Sequence, residues 1–268
     1  MTAPSREVGP IGVFDSGLGG LTVLRALIDL VPGIPTVYFG DTGRFPYGPK
    51  PADEVLKYAL EIGDLLVDRG AQMIVVACNS ATSVALDALV ERTEIPIIGV
   101  VEPGVRAAAA VTESGRVGVI GTVGTIASGA YQRAAAVAGV ELTCAACPGF
   151  VEFVEAGDVD SDQVHVLAER LLEPVRRAGV DTLVLGCTHY PLLARTIGDV
   201  MGPDVVLVSS ADETAFAARR LVSDSAGAPV TPAVSHHFVT SGDATTFAAL
   251  GARFLGPEVV DVEAWQWS

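Results

Sequence analysis

One eleven-residue pattern occurs twice in this chain, and it limits the possible folds more than any other feature. Residues 70–80 read GAQMIVVACNS and residues 179–189 read GVDTLVLGCTH. Gly179 minus Gly70 and Cys187 minus Cys78 both give 109. The later apolar pairs Ile97-Ile98 and Val206-Leu207 keep the same offset. Each copy is a short apolar run without alternation, which predicts a strand buried on both faces. Each run ends at a cysteine, then small polar residues, then a helical pattern. Open α/β sheets place ligands at the C-terminal ends of such strands. A helix N-terminus there is expected to favour a thiolate.

The repeat extends beyond the cysteines. Residues 11–14 form a short strand that runs into Asp15-Ser16-Gly17-Leu18-Gly19-Gly20 and then a helix. Residues 117–120 run into Gly121-Thr122-Val123-Gly124-Thr125 at an offset of 106. The expected fold class is therefore α/β: two pseudo-symmetric, doubly wound domains with mostly parallel sheets and a cleft between them. The expected domains are 1–100 with 213–268, and 101–212, with a boundary at Glu102-Pro103-Gly104. Further expected helices are 52–69, 82–92, 105–112, 162–178 and 212–221. In the first of these Leu56, Leu60, Ile62, Leu65 and Leu66 are expected to face the sheet. Strands are expected at 36–39, 95–100, 141–145, 205–208, 236–239 and 258–262, with a surface loop over 224–233. The tail after 212 has no partner in the repeat and is expected to pack back on the first half. With 268 residues, half of them hydrophobic, two cores are affordable in size.

The net charge is −15, and the arginine pairs are short and isolated, so no nucleic-acid footprint is present. No stretch approaches the length of a membrane span. Residues 1–10 are polar, carry Pro4 and Pro10, and do not read as a signal peptide. Four cysteines in a chain this long argue for reduced thiols in a cytosol. Lysine occurs only at Lys50 and Lys57, neither beside a phosphate cradle, which argues against pyridoxal chemistry. Thr22 stands where a dinucleotide fingerprint needs glycine. Cys144-Ala145-Ala146-Cys147 lacks the further ligands of a zinc site and reads as structural. His236 and His237 point to opposite faces of one strand and cannot chelate one ion. His165 reads as a surface residue, and Trp265 and Trp267 as packing anchors. No metal and no cofactor is expected.

Two thiols at matched positions, one from each half, suit a proton transfer across one carbon. One group starts as base and the other as acid, on opposite sides. Cysteine suits both roles because its pKa of about 8.5 is tuned by its surroundings. His189, two residues after Cys187, is placed to relay or tune its proton. The backbone amides near Asp15 and Ser16 are positioned to receive a carboxylate.

The residues 15–20, Asp41-Thr42 with Pro46-Tyr47-Gly48, Ala77-Cys78-Asn79-Ser80-Ala81-Thr82 and Gly186-Cys187-Thr188-His189-Tyr190-Pro191 together resemble the bacterial glutamate racemases, over nearly the whole chain and in order. The resemblance extends to 147–155, where the family usually reads Cys-Pro-Leu-Phe-Val-Pro and this chain carries Gly149 and Glu152. It also departs at Lys50-Pro51 from the usual Lys-Ser. The resemblance implies a cofactor-independent interconversion of L- and D-glutamate in the cytoplasm, with the D isomer supplying peptidoglycan synthesis. It implies Cys78 and Cys187 as catalytic thiols, the first serving D-glutamate and the second L-glutamate. Asp15, His189 and Glu155 would assist them. Asp15, His189, Ser16, Asp41, Tyr47, Gly48, Asn79, Ser80, Thr82, Thr122 and Thr188 would hold substrate. It further implies a homodimer, and some members of the family bind DNA gyrase. Rival readings are a racemase of another acidic amino acid such as aspartate, a two-lobed binding protein without catalysis, and a nucleotide-binding module. Solvent deuterium entering the α position of glutamate separates them.

Overall fold

A computed structural model describes residues 9–225 and 234–267. Most of the N-terminal stretch read as lacking a signal peptide, and most of the loop expected over 224–233, lie outside the described residues. The strands, in chain order, are β1 (Ile11–Asp15), β2 (Thr36–Gly40), β3 (Met73–Val76), β4 (Ile97–Gly99), β5 (Arg116–Gly121), β6 (Glu141–Ala146), β7 (Thr182–Gly186), β8 (Val206–Ser209), β9 (His236–Thr240) and β10 (Glu263–Ala264). They form a six-stranded sheet in the order β10-β9-β2-β1-β3-β4 and a four-stranded sheet in the order β6-β5-β7-β8. Every pairing is parallel.

The two sheets share one winding. β2-β1-β3-β4 and β6-β5-β7-β8 have the same order with β1 matching β5 and β3 matching β7. The registers match too: Ile11 pairs with Met73, and Val117 with Thr182. These are the offsets 106 and 109 of the sequence repeat. Both faces of each sheet are covered, which is why the strands read as continuous apolar runs. Val13, Tyr38 and Val75 face one core of the larger sheet, and Phe14, Phe39, Ile74 and Val76 face the other. Val119 and Val184 face one core of the smaller sheet, and Ile120, Leu183 and Leu185 the other.

The chain passes between the sheets twice. Helix Val101–Val111 leaves the larger sheet and packs on β7, and helix Ser210–Ser225 returns and packs on helix Leu21–Leu30. Ala215 and Ala218 join the core of the larger sheet. At Gly104 a side chain would stand 3.1 Å from Ser210 Cβ, so the close approach of the two crossings leaves little room for one. The helix expected from 105 begins at Val101, so Glu102-Pro103-Gly104, where a domain boundary was expected, is the first turn of this crossing. Pro103 is accepted because it lies in the first turn, where its missing N–H has no partner to lose.

Other boundaries differ for equally local reasons. The helix expected over 162–178 is two helices, Asp162–Leu171 and Glu173–Arg177, because Pro174 cannot continue the hydrogen-bond ladder of the first. Helix Ala52–Asp68 turns Val55, Ala59, Ile62 and Leu66 to the sheet, and leaves Leu56, Leu60 and Leu65 partly buried at its flanks. The helix expected from 82 begins at Asn79, directly after Cys78. The helix expected to stop at 221 runs on to Ser225. The last strand is two residues at 263–264, not 258–262.

The tail does pack back on the first half. β9 pairs with β2 and β10 with β9. The closing contact is polar. The fully buried Asp41 carboxylate accepts hydrogen bonds from Ser241 Oγ at 2.6 Å, Trp267 Nε1 at 3.2 Å and the Tyr47 hydroxyl. Arg44 Nε pairs with it at 2.7 Å, and the Arg44 guanidinium lies over the Trp267 ring at 3.9 Å. Removing a buried anion strands these donors and leaves Arg44 with Glu61 as its remaining carboxylate partner among the described residues. Asp41→Ala should therefore cost about 3 kcal/mol, lowering Tm by roughly 5 °C for a chain of this size. Thermal unfolding measures this, and Trp267 fluorescence should shift to the red as the tail detaches.

Candidate active site

Each element of the site is a strand end. Asp15 closes β1, Thr122 follows β5, Cys147 follows β6, Cys78 lies two residues past β3, and Cys187 follows β7. In parallel sheets these ends carry free backbone N–H groups and helix N-termini. The C-terminal edges of the two sheets face each other across a cavity of about 90 Å³. Cys78 enters from the larger sheet and Cys187 from the smaller, and both line it. Ser16, Tyr47, Gly48, Asn79, Ser80, Thr122, Thr188 and His189 line it as well. Asp15, Asp41, Thr82 and Glu155 are not in its lining.

Each residue outside the lining has partners of its own. Asp15 is buried behind Ser16; its Oδ1 accepts from Gly17 N at 2.9 Å and its Oδ2 from Thr188 Oγ1 at 3.3 Å. Burial raises its carboxyl above the ordinary range, against the opposing charge of His189. Asp41 belongs to the cluster that anchors the tail, and it bears on the cavity only through Tyr47. Thr82 Oγ1 donates to Val76 O at 2.9 Å and accepts from Val100 N at 3.4 Å, which ties the end of β3 to the crossing. Glu155 lies on helix Phe150–Ala156 and meets His189 Nε2 with Oε1 at 2.9 Å. Glu152, one turn earlier, lines the cavity instead.

The two thiols have unlike surroundings. Cys78 caps helix Asn79–Arg92, and its sulfur accepts from Ala81 N at 3.5 Å and lies 3.7 Å from Ser16 Oγ. The expected helix N-terminus is present, but it does not prevail. Burial, with the charge of Asp15 behind it, pushes the Cys78 thiol up to about 12. Cys78 thus keeps its proton at neutral pH. Cys187 Sγ lies 3.9 Å from His189 Nδ1. Burial alone would lower His189; its hydrogen bonds to Cys187 and Glu155 and the charge of Asp15 outweigh that and push it up to about 10. A cationic imidazole, held by a carboxylate, therefore stands beside the second sulfur.

Hydroxyls and amides carry the polar work of the walls; no arginine or lysine is among the lining residues. Ser80 Oγ lies 3.1 Å from Thr122 Oγ1 and 3.2 Å from Thr125 Oγ1, a hydroxyl cluster shared by the two halves. Gly124 N donates to Gly48 O at 3.0 Å, and a side chain at Gly48 would stand 2.8 Å from Thr122 Cβ. The lining also includes Phe45, Pro46, Pro49, Val123, Cys147, Pro148, Gly149 and Val151, which sequence reading did not assign to the site. For Cys147 the signal was available: it follows a parallel strand, as the other two cysteines do. All four cysteines are free, and Cys147, read as structural, is a third thiol in the wall, pushed up to about 12 by burial. Among the described residues no three His, Cys, Asp or Glu side chains are grouped to hold a metal ion. No helix among them is long and apolar enough to cross a membrane.

The His189 environment has a sign that can be measured. Its folded pKa, about 10, lies above the ordinary 6.5. Its contribution to stability is present in full below 6.5 and is lost as pH rises through about 10. Unfolding free energy measured by denaturant from pH 6 to 10.5 should fall across that window, and His189→Gln should flatten the fall.

A family model described as Asp/Glu/Hydantoin racemase matches residues 11–218. A glutamate racemase of Parafrankia sp. is 52% identical over 256 residues, which is 94% of this chain and 93% of that protein. The crystal structure of a glutamate racemase from Bacillus anthracis superposes with a TM-score of 0.93 at 38% identity, over 97% of this chain and 98% of the other. A glutamate racemase from Francisella tularensis, solved in complex with D-glutamate, superposes at 0.91 with 31% identity, over 97% and 98%. On this full-length likeness in sequence and structure, the chain belongs to the Asp/Glu/hydantoin racemase family, among its glutamate racemases.

Proposed function

We propose that the protein interconverts L- and D-glutamate by moving one proton off, and another onto, the α-carbon between Cys78 and Cys187. The observation that carries this reading is the pair of matched thiols, one at each sheet edge, lining one cavity. In the L-to-D direction the Cys187 thiolate takes the α-proton, and the electron pair left on carbon spreads into the α-carboxylate. The Cys78 thiol then delivers its proton to the opposite face. Sulfur at 187 ends protonated and sulfur at 78 ends as thiolate, so the reverse reaction begins from that state. The neutral, buried Cys78 suits the acid role in this direction. His189 holds its positive charge beside Cys187, and Glu155 holds His189. Asp15 positions Thr188 and the Ser16 turn.

The carbanion is the costly species, and fixed donors around the α-carboxylate are what lower it. Asn79, Ser80, Thr122, Thr188 and Ser16 supply such donors without a full positive charge. Tyr47 and Gly48 close the cavity from the Pro-rich loop, while Asp41 and Thr82 support from behind. The cavity lies well below the about 300 Å³ at which drug-sized pockets begin, which favours a small metabolite over a nucleotide. We read 1–100 with 213–268 as one domain and 101–212 as the other. The enzyme is proposed to act as a cytoplasmic homodimer whose D-glutamate feeds peptidoglycan synthesis.

Protein dialysed exhaustively against chelator, with no pyridoxal added, should racemise L- and D-glutamate, followed as loss of circular dichroism. In D₂O the product should carry deuterium at the α position. Activity that vanishes with chelator and returns with zinc, or turnover of aspartate in preference to glutamate, would overturn the proposal.

A further inference from the structure

Asn79 follows Cys78, lines the cavity and is 3% exposed. The two ends of its amide are treated differently. Oδ1 accepts a hydrogen bond from the Tyr131 hydroxyl at 2.6 Å. Nδ2 is buried and has no partner among the described residues. A buried N–H group without a partner is costly, and such groups are kept where a ligand completes them. An amide that rotates by half a turn exchanges its donor and acceptor ends. The hydrogen bond at Oδ1 therefore decides which end meets a bound carboxylate.

Tyr131 is well placed to make that decision. Gly129, at φ +73°, separates helix Val123–Ala127 from helix Ala130–Ala138, and Tyr131 lies in the first turn of the second. Its side chain is fully buried. Burial and the nearby thiols raise its hydroxyl well above the ordinary range, so it stays a donor. The ring also lies against Gly186, where a side chain would stand 3.1 Å from the ring edge and from the hydroxyl. Gly186 precedes Cys187. One side chain of the smaller sheet's half thus touches the turn that carries Cys187 and bonds the residue that follows Cys78.

We infer that Tyr131 is a positioning residue: its hydroxyl orients the Asn79 amide with Nδ2 toward the substrate carboxylate, and its ring keeps the two thiol-bearing turns in register. The inference rests on the proposed reaction for the identity of the carboxylate. The orientation of the amide is independent of it.

Tyr131→Phe keeps the ring and removes the hydrogen bond. KM for both isomers should rise about tenfold or more, the scale of one hydrogen bond to a charged group, while kcat changes less than about threefold. Tm should fall by no more than about 5 °C, the cost of one buried carbonyl left without its donor. Placed on Asn79→Ala, the same substitution should add no further rise in KM, because the two act through one contact. General damage to the fold would instead lower kcat and Tm together. The second readout needs no substrate: the side-chain NH₂ resonances of Asn79 in ¹⁵N-labelled protein should shift and broaden in Tyr131→Phe. An unchanged KM in a variant of active enzyme, an additive loss in the double variant, or unchanged Asn79 resonances would each overturn the inference. Wild-type protein inactive on glutamate would overturn the proposed reaction, and the resonances would then decide the positioning role alone.

Discussion

Cys78 and Cys187 share a cavity only because the C-terminal edges of two parallel sheets meet. A parallel strand ends with its last backbone groups unpaired and a helix N-terminus nearby, and a second such edge supplies the same set from the other side. The contacts that hold the edges together are also contacts of the site. Thr188 of one half donates to Asp15 of the other, Ser80 meets Thr122 and Thr125, and Gly124 bonds to Gly48. A substitution that loosens the halves therefore also moves the groups that would hold substrate.

Burial gives these groups their chemistry. The same low-dielectric surroundings raise Cys78 and Asp15, and they would lower His189 were it not paired with Cys187 and Glu155. The helix that starts at Asn79 offers Cys78 one N–H at 3.5 Å, too weak a contact to offset desolvation of a thiolate. At Cys78 the helix end expected to favour a thiolate is present, and desolvation outweighs it. The resulting asymmetry, a neutral thiol on one side and a cation beside the thiol on the other, is what a one-direction proton transfer needs at its start.

The repeat made the architecture legible, because strand period and offset survive where identity does not: 109 at the cysteines became the register shared by β3 and β7. Residues next to strand ends were legible for the same reason. What was hidden depends on contacts distant in sequence. Asp41 is a site residue by the family resemblance, but what holds its carboxylate is Ser241 and Trp267, some 200 residues away. Cys147 reads as structural from its spacing to Cys144, which is half of a zinc motif without the other half; the cavity wall it joins is completed by residues of the other sheet. Tyr131 carries no local signal at all; its meaning comes from Asn79 in the other half. Helix ends were misjudged where one residue overrides periodicity, as Pro174 does in splitting the helix over 162–178.

The central claim is that each sulfur serves one face of one carbon. Exchange of the α-hydrogen of each glutamate isomer with D₂O, measured by proton NMR in Cys78→Ser and Cys187→Ser, tests it most directly. Serine keeps roughly the shape of cysteine but lacks a proton removable near neutral pH. Neither variant should racemise. Cys187→Ser should exchange the hydrogen of D-glutamate faster than that of L-glutamate, and Cys78→Ser should do the reverse. Equal exchange of both isomers in both variants, or full racemisation by either, would contradict the account.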